Sequence, residues 1–190
     1  MTKEQFWKWI DHFRESSGDN PGLFFHTAQE ILLRQTPADI RAFRACLGAY
    51  MEAAGETVWL DMACKVINGY VSDDTALYFT LWVISRGENV LLNALKDPDS
   101  LAELDSIPFG EAECEMLMAI GFNDEDFHPE EMEAIHQKWL EEITPAIAFR
   151  NNEKYGAYDR FEDAMADIPN VLPRLLLRAE QAGFDWKNFI

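Results

Sequence analysis

An all-α fold, a compact multi-helix single domain of about eight to ten short helices over residues 1–190, is what the sequence predicts, on three observations. Apolar side chains recur at three- and four-residue spacing in nearly every segment. Those segments are separated by residues that start and stop helices: Thr, Ser, Asn and Asp in front, Gly behind. Apolar residues make up 48% of the 190, with 13 Phe, 6 Trp and 5 Tyr, enough for a chain of this length to bury roughly 70% of its unfolded surface. No repeat, low-complexity tract or linker divides the chain, and a sub-boundary, if present, falls near Pro145.

Thr2 with Gln5 three residues on forms a capping box, after which Phe6, Trp9, Ile10 and Phe13 keep helical spacing up to Gly18. Asp19 or Asn20 before Pro21 opens a second helix with the stripe Phe24, Ala28, Ile31 and Leu32. Thr36-Pro37-Ala38-Asp39 starts a third, with an N-cap, proline at the first position and an acid on the positive end of the dipole. Val58 to Ile67 is apolar on more than one face and leads into Asn68-Gly69. That pair is a hairpin signal in isolation, but helical spacing before it and Ser72-Asp73-Asp74 after it favour a helix ending at Asn68, with Gly69 as left-handed cap. Ala76 to Ile84 carries so few polar residues that its helix is central. Val90, Leu91, Ala94 and Leu95 follow, up to the turn Asp97-Pro98-Asp99-Ser100.

The last third predicts a helix over Glu111 to Ile120, another from His128-Pro129-Glu130 through Met132, Ile135, Trp139 and Ile143, ended or kinked by Pro145, and a final one carrying Leu172, Leu175, Leu176 and Ala179. Ile168-Pro169-Asn170 is read as the break before it. No stretch approaches the roughly 18 apolar residues of a membrane helix, and the opening Met1 to Trp9 has no leader-like apolar core. Cys46, Cys64 and Cys114 are too scattered for a disulfide framework or a zinc site, so buried thiols in a cytoplasmic protein are expected.

Trp59-Leu60, Ile67-Asn68-Gly69, Ser72-Asp73-Asp74, Tyr78-Phe79, Trp82-Val83-Ile84-Ser85-Arg86-Gly87 and Ala94 to Leu101 together resemble the signature of the bacterial family catalogued as domain of unknown function 4240. Glu4-Gln5-Phe6-Trp7 and Ala112-Glu113-Cys114-Glu115 resemble its flanking elements, so the resemblance spans about residues 1–125. Tyr70, Val71 and Glu88 depart from the pattern. The family motif positions are Trp59, Asn68, Gly69, Ser72, Asp73, Asp74 and Trp82. The resemblance implies no activity.

Each candidate site has a plainer structural explanation. Capping and first-turn acids account for Ser72, Asp73 and Asp74. Glu125-Asp126-Phe127-His128 and Glu133-Ala134-Ile135-His136 match a di-iron spacing, yet they crowd around Pro129 instead of standing on facing helices. Pro129 and Ile135 occupy the positions where a calcium loop from Asp124 needs glycine and an acid. The six tryptophans, Trp7, Trp9, Trp59, Trp82, Trp139 and Trp186, are expected in the core. No nucleophile elbow or phosphate loop is present, and no catalytic residue, metal or cofactor is assigned.

Charge is the remaining signal. The formal net charge is −18, and Asp97 to Glu142 holds 15 acids against one base, Lys138. The rest of the chain is nearly balanced, with 19 acids and 15 bases. Such a region repels nucleic acid and anionic lipid and attracts cationic protein. The expectation is a non-enzymatic acidic binding protein, in the manner of an immunity-type inhibitor docking a basic nuclease toxin through Glu111, Glu113, Glu115, Asp124, Glu125, Asp126, Glu130, Glu131 and Glu133. The alternatives are an enzyme using Asp73, Asp74 and His128 or His136 with a divalent ion, and an adaptor subunit.

Overall fold

Capping residues set the helix starts in the computed structural model, which describes residues 1–18, 20–55, 57–121, 129–147, 158 and 160–187. The Thr2 capping box is complete and opens α1, Lys3–Ser17. The Asn20 side chain accepts from Leu23 N at the start of α2, Pro21–Leu32, and Thr36 Oγ1 accepts from Asp39 N at the start of α3, Pro37–Gly55. Thr57 caps α4, Val58–Asn68, and Ser72 caps α5, Asp73–Ser85. The cap reading of Asn68-Gly69 holds: α4 ends at Asn68, and Gly69 adopts φ 86°, a left-handed conformation that a side chain would resist. Helix α6, Glu88–Lys96, runs into a 3-10 segment over Pro98–Glu103, and a second 3-10 segment covers Glu115–Ala119. Helices α7, Pro129–Ile147, α8, Phe161–Val171, and α9, Pro173–Gln181, complete the described chain. All regular structure among the described residues is helical.

Two expectations are corrected and a third is narrowed. Residues 111–114 are not helical, because the backbone there is held from outside: Gly110 N donates to Ile67 O, Ala112 N to Asn68 Oδ1 and Cys114 N to Tyr78 O. The N–H groups between them bond within the loop, Glu111 N to Pro108 O and Glu113 N to Glu111 O, so no helical i to i−4 ladder forms. Only Glu115–Ala119 then turns, as 3-10. Pro169 is not a break but sits inside the last turn of α8, a helix the sequence reading missed. Of the two readings of Pro145, an end to the helix is excluded, since α7 runs through it to Ile147.

The core forms where α1, α3, α4 and α5 meet. Phe6, Phe13, Phe24 and Phe43 are fully or almost fully buried, and Trp7 donates through Nε1 to the Tyr50 hydroxyl at 2.9 Å. Trp7, Trp59, Trp82 and Trp139 are buried as expected, while Trp9 and Trp186 are half-buried. Helix α7 packs along α3, where Gly48 lets His136 approach: a Cβ at Gly48 would lie 3.1 Å from His136 Nδ1. On another side of the core, α8 and α9 pack on α4, and α9 also packs on the 98–103 segment.

Candidate functional site

Five of the motif residues, Asn68, Gly69, Ser72, Asp73 and Asp74, fall at the junction of α4 and α5. Asn68, completely buried, bridges the backbone of Ala112 from both sides, Nδ2 donating to Ala112 O at 3.2 Å and Oδ1 accepting from Ala112 N at 2.9 Å. A side-chain amide thus does the work of a strand partner and pins residues 110–114 against the end of α4. Trp59 and Trp82 are buried supports, Trp82 stacked on Phe79 with the Arg86 guanidinium 5.6 Å from its ring centre. Gly69 and Ser72 shape the turn that delivers Asp73 and Asp74, both exposed, at the start of α5.

Pinning 110–114 brings Glu113 and Glu115 to α5. The Tyr70 hydroxyl donates to Glu113 Oε1 at 3.3 Å, and the Tyr78 hydroxyl to Glu115 Oε1 at 3.2 Å. Both phenols titrate above their ordinary value, Tyr70 first through the charge of Glu113 and Tyr78 first through its hydrogen bond to Glu115, with Asp74 and Glu113 adding to the latter. Asp74, Glu113 and Glu115 therefore act on one tyrosine, although they come from separate parts of the chain. Among the described residues none of the three makes an ion pair. Exposed Glu111 lies on the same pinned segment, and Met116 and Met118, 48% and 42% exposed, follow in the 3-10 turn.

Asp61, on α4, joins this acidic side. It is largely withdrawn from water, and burial first, then the Asp73 charge, raises its carboxyl to about 6. It also borders a pocket of about 350 Å³ lined by Thr57, Val58, Tyr158, Arg160 and Phe161. The sequence reading overlooked Asp61; its signal is a lone acid inside the apolar run Val58 to Ile67. Burial likewise raises the thiols of Cys64, to about 12, and Cys114, to about 11, and Cys46 in the same direction, which leaves all three unreactive.

The rest of the acidic stretch goes elsewhere. Asp97, Asp99 and Glu103 surround Arg174 of α9, at 3.2, 3.0 and 2.7 Å. Glu130, Glu131 and Glu133 stand on α7, exposed, with Glu131 paired to Arg41 of α3 at 3.4 Å. Asp124, Glu125, Asp126 and His128 lie outside the described residues. The nine acids proposed from the sequence are thus divided: Glu111, Glu113 and Glu115 belong to the pinned segment, and Glu130, Glu131 and Glu133 to α7. His136 faces Glu52, at 2.8 Å, not Asp73 or Asp74. Among the described residues no group of three or more His, Cys, Asp or Glu side chains is placed to hold a metal ion.

A model of the protein family of unknown function DUF4240 matches residues 1–141. The chain belongs to this family. The DUF4240 region extends beyond the 1–125 read from the motifs and takes in most of α7, but not α8 or α9. No curated protein and no solved structure matches the chain. No described helix is long and apolar enough to cross a membrane.

Proposed function

We propose that this DUF4240 protein is a non-enzymatic cytoplasmic binding protein that docks a basic protein, in the manner of an immunity-type inhibitor covering the cationic surface of a nuclease toxin. The docking face is centred on Asp74, Glu113 and Glu115, with Glu111, Tyr70 and Tyr78 around them. One observation carries the reading: acids from two separated segments converge with two tyrosines and have no ion-pair partner among the described residues. Unopposed carboxylates repel one another at a cost in stability, and a cationic partner offsets it. Tyrosine rings beside them offer faces on which arginine can stack, and exposed Met116 and Met118 offer adaptable apolar contact. The buried, free thiols of Cys46, Cys64 and Cys114 suit a reducing compartment.

Purified protein titrated against a panel of basic nucleases and size-matched neutral proteins tests this. At least one basic nuclease is expected to bind and lose activity, with affinity falling about tenfold or more between low and physiological salt. The triple variant Asp74→Lys/Glu113→Lys/Glu115→Lys is expected to keep its helical spectrum and lose capture. Binding that survives the reversal, or ignores salt, places the docking face elsewhere.

A further inference from the structure

The acids at the start of the acidic stretch form a socket with a defined occupant. Asp99, 5% exposed, accepts from two backbone groups at the start of α9, Arg174 N at 3.1 Å and Leu175 N at 2.8 Å, and from Arg174 Nε at 3.0 Å. It satisfies the orphan donors of that helix in place of a local N-cap, which α9 lacks. Arg174 Nη1 reaches Glu103 at 2.7 Å and Nη2 reaches Asp97 at 3.2 Å. One turn on, Arg178 donates to the carbonyls of Ala102 and Asp105. Beneath these bonds Ile168, Leu172, Leu175 and Ala179 are fully buried where α8 and α9 pack on α4. Every receiving group lies within the DUF4240 region, which ends at residue 141, and every inserted group lies beyond it.

We propose that the surface formed by α4 and residues 97–105 is a helix-docking site of the DUF4240 region, filled here in cis by α8–α9 and open to exchange with a helix of the same chemistry. That chemistry is specific: an amphipathic helix with arginine in its first turn and a second arginine four residues on. A single arginine holds three carboxylates on one side, and those bonds are the part of the contact most open to competition by another guanidinium. The site is independent of the tyrosine-flanked acidic face proposed above.

Hydrogen exchange on the whole chain tests whether the segment is separable. Amides of 161–181 are expected to open about tenfold more often than those of α4 and α5, and Arg174→Ala, which weakens only the closed state, to speed opening of 161–181 about thirtyfold while they remain the faster region. Equal opening of both regions, or opening of 161–181 unchanged in the variant, overturns the proposal. If Arg174→Ala does not fold, Arg178→Ala is read in the same way. A labelled peptide of residues 158–187 is then expected to bind the Arg174→Ala chain saturably, and about tenfold more weakly when Asp99→Ala is added. No saturable binding, or binding indifferent to Asp99, overturns it as well.

Discussion

Asp99 and Glu113 lie 14 positions apart in one acidic run and have opposite fates. Asp99 is buried, holds the start of α9 and shares Arg174 with Asp97 and Glu103. The Glu113 carboxylate has only the Tyr70 hydroxyl as a hydrogen-bond partner among the described residues, and Asp74 and Glu115 join it around Tyr78. Charge density along a chain is therefore not charge density in space. Counter-charge for the first group arrives from more than 70 residues away, whereas folding adds further negative charge to the second.

The largest effect is expected from Asn68→Ala, which removes the amide that holds Ala112 and leaves buried backbone groups unsatisfied. A loss of about 3 kcal/mol in urea unfolding is expected, together with loss of any binding that depends on Glu113 and Glu115. A stable variant that still binds would show that the pinned segment keeps its place without the clip. Next comes Arg174→Ala, which deprives buried Asp99 of its counter-ion. Because Arg174 is itself half exposed, the expected loss is about 2 kcal/mol, below that of a fully buried pair. Near-zero loss would make the two acidic groups energetically alike and erase the contrast.

Asp61→Asn probes the acidic side from beneath. A carboxyl raised to about 6 in the folded chain, against an ordinary value of 3.8, makes the folded state bind more protons in that window. Stability should therefore fall as pH rises from about 4 through 6. The variant should be more stable than the parent by about 1 kcal/mol at pH 7.5, a figure discounted for the solvent that reaches Asp61, and about equal at pH 4. A pH dependence unchanged in the variant would show that Asp61 is not strained by its surroundings. The smallest stability effect per site belongs to Asp74→Lys/Glu113→Lys/Glu115→Lys, within about 0.5 kcal/mol of the parent at each of these surface positions, which separates its effect on binding from any effect on folding.

Most helix boundaries were legible because their causes are local. Thr2, Asn20, Ser72 and Gly69 act on N–H and C=O groups within four residues, so their roles follow from neighbouring letters. Residues 111–114 were misread because helical spacing was present but the hydrogen bonds went to Ile67, Asn68 and Tyr78. Helix α8 was missed because Pro169, which usually ends a helix, lies in its last turn. The acidic face was half legible: the sequence showed the surplus of carboxylates but not their sorting between Arg174, Arg41 and the two tyrosines.

By itself the sequence determined an all-helical DUF4240 protein with its caps, its apolar stripes and a strong negative charge, since each depends on residue type and short-range spacing. Only the tertiary structure decided that Asn68 is a clip, that Asp99 caps a helix 75 residues away, and that Asp74 and Glu115 both act on Tyr78. Electrostatic and hydrogen-bond energies depend on distance through space, and folding sets that distance without regard to separation along the chain.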